Sequence, residues 1–271
     1  MAQGFLTAQV RGHVTEVTMR NAAKHNSFSA AMSTELVDAL REAQGAGSRA
    51  VILRAEPGVK VWSAGHDISE LPVGDQDPLA WTNTLAAMME DVAAFPLPLI
   101  AAVEGGVWGG ACELVMAADI VVAHKASTFA ITPAKLGVAY SSAGISRFLA
   151  ALPVHIAKEM FFTAEPISAQ RAHDFGVVNH LVADADELEL RCWQLADVIS
   201  QRAPLTIRSA KAEIQAMTLP GESVNESAQL RSLRDCAWTS EDYREGVRAF
   251  KERRAPAWGG SWPTPEGAAR A

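Results

Sequence analysis

Only three cysteines, Cys112, Cys192 and Cys236, occur in 271 residues. An odd number at wide spacing excludes a disulfide framework and a CxxC-type metal site, and such sparing use fits a reducing cytoplasm. No run of about 18 apolar residues is present, and the opening MAQGFLTAQVRGHVTEV has no apolar h-region. The expectation is a soluble, cytoplasmic protein that is neither exported nor inserted in a membrane. Positive charge is also in deficit, with 24 Lys and Arg against 31 Asp and Glu and a net charge of -7. That balance argues against a nucleic-acid binder. An anionic small molecule stays possible, because a few local cations or backbone N–H groups hold one against the sign of the whole protein. What is plentiful is apolar residues, 49% against 20% charged, which suffices for a buried core in one large domain or two modest ones.

Residues 8–19 alternate and read as a strand, while RAVILRA (49–55) is a continuous apolar run of the kind buried on both faces. Between them SAAMSTELVDALREA reads as a helix, with Ser29 as its cap and Met32, Leu36, Val37 and Leu40 on one face. PLIAAVEG (98–105), GGACELVMAA and ADIVVAH (118–124) repeat the order strand, helix, strand, which predicts an α/β architecture. From about residue 184 the strand signals stop. Four helical segments follow, separated by Pro204, Pro220-Gly221 and Ser240, and the Gly/Pro-rich end predicts a loose tail from about residue 256. No internal sequence repeat is visible.

GGVWGGACE, Gly105 to Glu113, puts four glycines into six residues directly before a helix. The spacing is wrong for Gly-x-Gly-x-x-Gly, and Ala111-Cys112 stand where a P-loop needs Lys and Ser/Thr. Two readings remain. Either the glycines bring bare backbone against a ligand at a helix N-terminus, where orphan N–H groups and the dipole favour negative charge, or they only let the turn pack tightly. In KVWSAGHDISELP (60–72), His66 has no second histidine at ligand spacing, so no metal site is expected. Asp67 equally fits a cap for the turn that follows.

Taken together, SAGHD and VEGGVWGGACELVMAADIVVA resemble the enoyl-CoA hydratase/isomerase family, the crotonase superfamily. The resemblance extends through MRNAAKHNSFS, STFAITPAKLGV and TAEPISAQRAHDFGVVNHLV. It implies a repeated ββα spiral core over residues 1–200 and a helical trimerisation region over 201–271. It also implies a homotrimer or dimer of trimers, and an acyl-CoA thioester substrate with no further cofactor. By position, the backbone N–H groups of His66 and Gly110 would hold the thioester oxygen, stabilising the enolate more than the neutral carbonyl. Ala64 would contact the adenine, with Gly65, Asp67 and Ile68 beside it. Lys24 would meet the CoA phosphates, and Lys251 or Arg253 would supply a late-chain cation, reaching a neighbouring subunit's ligand.

Hydratases of the family use two glutamates. The first matches Glu113, but FAITP places Pro133 where the second carboxylate would be, and a proline does no acid–base work. SAGHDISELP, FAITPAKLGVAY, FTAEPISAQRA and SEDYREGVRAF are similar to the methylmalonyl-CoA decarboxylase branch of the family, whose reaction needs no strong base because loss of CO2 itself generates the enolate. That resemblance implies decarboxylation of methylmalonyl-CoA or malonyl-CoA, with Tyr140 orienting the departing carboxylate and Thr132 lining the same pocket. Ala139 departs from the branch, which tends to have proline before the tyrosine. Glu113 either protonates the enolate or is a buried structural acid. The alternatives are an enoyl-CoA hydratase or isomerase with Glu113 as sole acid–base group, and a non-catalytic acyl-CoA-binding protein.

Overall fold

The computed structural model describes residues 4–71, 83–218 and 228–259. The alternating stretch expected as one strand is two, β1 (Leu6–Arg11) and β2 (Val14–Met19), paired antiparallel across a turn at Gly12. Gly12 takes φ +61°, a left-handed conformation that closes the turn without a Cβ clash. Beside β2 run β3 (Ala50–Ala55), β5 (Leu99–Val103), β7 (Ile120–His124) and β10 (His180–Val182), all parallel, in the order β1-β2-β3-β5-β7-β10. A second sheet has the order β4-β6-β8-β9, from Val61–Ser63, Gly106–Trp108, Thr128–Ala130 and Ile167–Ser168.

The pairs β3/β4, β5/β6 and β7/β8 each give one strand to each sheet. Helix α2 (Asn83–Ala93) follows the first pair and α3 (Gly110–Ala117) the second, so the chain winds as a ββα spiral. The glycine cluster therefore has a strand inside it: Gly105 and Gly106 lead into β6, and Gly109 and Gly110 lead out of it into α3. A continuous apolar strand is explained by its two faces. In β3, Val51 and Leu53 join the large core with α1 (Ala30–Gly45), while Ala50 and Ile52 pack on the other side against Leu188, Cys192 and Ala196 of α7 (Ala185–Ser200). Ser29 caps α1 as expected, accepting from the Met32 N–H. The Glu35 carboxylate of α1 accepts from the Phe5 and Leu6 N–H groups and anchors the first strand.

After β8 come α4 (Ser142–Ala151), α5 (Val154–Thr163) and α6 (Ala169–Asp174). The C-terminal helices are α7, α8 (Pro204–Thr218), α9 (Ala228–Thr239) and α10 (Glu241–Glu252). Pro220-Gly221, expected as a breaker, lies outside the described residues. Helix α8 is fastened to the sheet by buried Lys211, whose ammonium donates to Asp119 Oδ2 at 2.6 Å and to the Leu97 carbonyl at 2.9 Å. The tail expected to be loose from residue 256 is instead held at its start. Trp258 donates from Nε1 to the Gln201 carbonyl, its own carbonyl accepts from Arg49, and the Gly259 N–H donates to Asp242. No helix among the described residues is long and apolar enough to cross a membrane.

Candidate active site

Two chain turns meet beneath α3. Strand β4 ends at Ser63, and Gly65 follows at φ +80°. This turn is braced from the N-terminal segment: Asn26 Nδ2 donates to the Trp62 carbonyl at 2.9 Å, Ser63 Oγ to the Asn26 carbonyl at 2.7 Å, the Ala64 N–H to the His25 carbonyl at 2.9 Å, and the Phe28 N–H to the Gly65 carbonyl at 2.7 Å. The Asp67 N–H returns a bond to the Phe28 carbonyl, which makes Phe28 and His66 a parallel bridge pair. Trp62, fully buried, locks the strand through its indole N–H to the Ala102 carbonyl.

The second turn carries Gly109 at φ +55°, whose N–H donates to the Ala130 carbonyl at 2.8 Å, and then Gly110 as the first residue of α3. An N–H at that position has no partner within its helix. The two turns touch through their glycines. A methyl group on Gly65 would stand 2.6 Å from the Gly110 nitrogen and 2.5 Å from the Trp108 carbonyl oxygen, and one on Gly110 would lie 3.8 Å from the His66 nitrogen. Both backbone nitrogens expected to act together are therefore neighbours across a gap that only glycine keeps open.

The gap opens into a cavity of about 140 Å³ lined by Ala64, His66, Ile68, Gly109, Gly110, Glu113, Thr132, Pro133, Tyr140 and Arg147, with apolar side chains such as Leu85 and Met89 between them. Most of the expected site residues thus converge. Gly65 and Asp67 are not among its lining residues. Asp67 is buried, caps the turn at Ile68–Glu70 by accepting from Ser69, and pairs with Lys24 at 3.0 Å. The Ser69 hydroxyl, with help from Lys24, holds the Asp67 carboxyl below the usual range against the opposing effect of burial. Lys251 and Arg253 also lie away from this cavity. Lys251 lines a separate cleft with Tyr243 and Phe250, and Arg253 is the exposed, left-handed C-cap of α10. Among the described residues, no three His, Cys, Asp or Glu side chains are grouped to hold a metal ion.

At the far wall the chemistry is ionic. Tyr140 donates its hydroxyl to Glu113 Oε2 at 2.7 Å, and Arg147 of α4 donates from Nη1 to Glu113 Oε1 at 2.6 Å. Burial, reinforced by the neighbouring Glu113 charge, pushes the Tyr140 phenol well above its usual value of 10.0, so it stays protonated as a hydrogen-bond donor. Replacing Tyr140 by Phe is accordingly expected to leave unchanged the tyrosinate absorbance gained at pH values where an ordinary phenol already ionises. A smaller gain in the variant would contradict the assignment. His66 is moved downward by burial, against the pull of Glu70 and Asp67. The Cys112 thiol, buried behind the glycines and bonded to the Val107 and Ala130 carbonyls, is pushed up to about 12 and does no nucleophilic work at neutral pH.

Two contributions escaped the sequence reading. The brace at His25 to Phe28 leaves a trace in the His25-Asn26 pair, at φ +53° and +49°, since Asn tolerates the left-handed region better than most residues. Arg147 had a signal too, standing three residues after Gly144 and so on the same helix face as the glycine beside Tyr140.

Residues 9–261 match the family model described as enoyl-CoA hydratase/isomerase. The chain belongs to that family. Methylmalonyl-CoA decarboxylase of Escherichia coli (strain K12) is 39% identical over 260 residues, covering 94% of this chain and 98% of that protein. Carnitinyl-CoA dehydratase of Salmonella typhi is 31% identical over 252 residues, covering 92% and 96%. Among solved structures of the family, methylmalonyl-CoA decarboxylase complexed with 2S-carboxypropyl CoA superposes with a TM-score of 0.78 at 38% identity, over 96% of this chain and all of that one. The crotonase fold expected from the motifs is thus the fold found.

Proposed function

We propose that the protein is a carboxy-lyase that converts methylmalonyl-CoA, or malonyl-CoA, to the acyl-CoA shortened by CO2. The reading rests above all on the pairing of the His66 and Gly110 backbone nitrogens at the mouth of a cavity whose far wall carries Tyr140 and Pro133. The thioester oxygen would sit between those two N–H groups. As the bond from C2 to the carboxylate breaks, its electron pair forms the enolate and CO2 leaves. The negative charge gathers on the thioester oxygen, where fixed N–H donors act most strongly, each worth on the order of 3 kcal/mol of barrier. A proton from water then completes C2. No further cofactor is needed.

Pro133 opens a short 3-10 turn in the cavity wall and offers no carboxylate. Glu113 has both oxygens engaged, one by Arg147 and one by Tyr140, which disfavours it as the lone acid–base group of a hydratase. Tyr140, kept protonated, would turn its one O–H from Glu113 to the substrate carboxylate and hold that group out of the enolate plane, and Thr132 lies along the same wall. Similarity to methylmalonyl-CoA decarboxylase over nearly the full length of both chains supports the same substrate class.

We further propose assembly as a homotrimer or a dimer of trimers. The exposed Tyr243, Val247 and Phe250 of α10 support it, and Lys251 or Arg253 would then reach CoA phosphates bound by a neighbour.

The purified protein should release CO2 and propionyl-CoA from methylmalonyl-CoA. A folded protein that leaves methylmalonyl-CoA and malonyl-CoA intact but hydrates crotonyl-CoA would overturn the reading. Tyr140→Phe should lower kcat about 10- to 100-fold with KM little changed, the loss of one hydrogen bond to a charged group.

A further inference from the structure

We infer that Arg147 is a positioning residue, whose guanidinium fixes the Glu113 carboxylate so that Glu113 in turn fixes the Tyr140 hydroxyl at the acyl end of the cavity. The effect on turnover rests on the decarboxylase reading above, whereas the positioning itself can be observed without any substrate.

The three groups form a chain across separate elements. Glu113 lies in the first turn of α3 and is buried, while the Arg147 side chain is only 12% exposed. Arg147 takes Oε1 at 2.6 Å, leaving Oε2 to accept from Tyr140 at 2.7 Å. A charge-assisted bond of that length is both stronger and more directional than a neutral one. It sets the rotation of the carboxylate and thereby the place of the second oxygen. Helix α4 also supplies the space. Gly144, one turn before Arg147, has no Cβ, and a methyl group there would collide with the Tyr140 ring and stand 3.1 Å from Glu113 Oε2. Phe148 and Phe161 pack edge-on against the Tyr140 ring, with ring centroids 5.8 and 5.3 Å away. The ring plane is thus held by apolar packing, and before substrate binds the hydroxyl is held by Glu113 and, through it, Arg147.

Such control bears on turnover because the phenol has one O–H to give: it rests on Glu113 before substrate binds and passes to the carboxylate from a set place, and displacement by 1 Å costs up to about a hundredfold. The sequence holds two tyrosines, so protein labelled with 13C at tyrosine Cζ gives two resonances, and Tyr140→Phe identifies the one from Tyr140. Arg147→Gln, which keeps a polar group but removes the charge, is expected to displace the Tyr140 resonance. It should also lower kcat about tenfold with KM changed less than about threefold. Arg147→Lys should recover much of both. If Arg147→Gln does not fold, Arg147→Lys alone decides: a Tyr140 resonance displaced partway, with a small loss of kcat, supports the positioning, and one at its wild-type place with unchanged kcat overturns it. A Tyr140 resonance and a kcat at wild-type values in the folded variant would overturn the inference. Should the wild-type protein release no CO2, the proposed reaction falls, and the resonance by itself still decides whether Arg147 positions Tyr140.

Discussion

If the proposed decarboxylation holds, Gly65→Ala is expected to cut turnover of methylmalonyl-CoA by at least about a hundredfold, the loss associated with one oxyanion-stabilising donor. The added methyl group would meet the Gly110 nitrogen at 2.6 Å and the Trp108 carbonyl oxygen at 2.5 Å, both backbone atoms that cannot swing aside. The start of α3 must therefore retreat from His66, and the two donors no longer point at one place. Part of any loss comes from the φ of +80°, which costs an L-residue about 1–2 kcal/mol. Gly176→Ala separates the two effects. Gly176 has φ +84° but no atom within 4 Å of an added methyl group, so its variant bears the backbone strain alone and should keep nearly full kcat. Equal kcat losses in the two variants, measured by CO2 release, would refute the steric account.

Asp119→Ala is expected to destabilise the protein by about 1–3 kcal/mol, because it leaves the buried Lys211 ammonium under-satisfied while the exposure of Asp119 screens part of the pairing. Lys211 is buried in the middle of α8, and Asp119 Oδ2 accepts both from its ammonium at 2.6 Å and from the Leu99 N–H at 2.7 Å. Burial depresses Lys211, with Asp119 working against that shift. Removing the carboxylate therefore leaves a desolvated cation with the Leu97 carbonyl and the Phe95 ring, 5.8 Å from its centroid, but no counter-charge beside it. Lys211→Met combined with Asp119→Ala should recover much of the loss, because the unpaired charge and not the missing contact carries most of the cost. Chemical denaturation of the single and double variants measures both. A double variant as unstable as Asp119→Ala would show that the charge is not the cause.

The depth at which the sequence was legible follows the range of the interactions. β3 could be read because a strand covered on both faces must be apolar throughout, and α1 because Ser29 and its apolar stripe are local signals. Gly12 was passed over within an alternating run, so a hairpin was read as one strand. The spiral left no repeat in the sequence, because each ββα turn packs against different neighbours and only the path of the backbone recurs. At the site, the glycines and SAGHD stood out because bare backbone at a crowded meeting point restricts residue type. Glu113 remained ambiguous because its role depends on Arg147, 34 positions along the chain and brought near only by packing. The start of the tail was misread for a related reason: composition favours looseness, but Trp258 finds Gln201 and Arg49 at long range.

The brace from His25 to Phe28 ties reactivity to the integrity of the amino-terminal region. No single stretch of chain contains the proposed oxyanion site; it exists only where segments 25–28, 62–67 and 109–111 are held in register. Local opening of the first segment, which costs less than global unfolding, would release the Ala64 and Asp67 N–H groups and the Gly65 carbonyl from their partners and let the His66 peptide rotate. Catalytic output then becomes a gauge of that local equilibrium. A molecule with its sheets and cavity intact but its amino-terminal brace open would be folded by most spectroscopic measures and silent toward substrate.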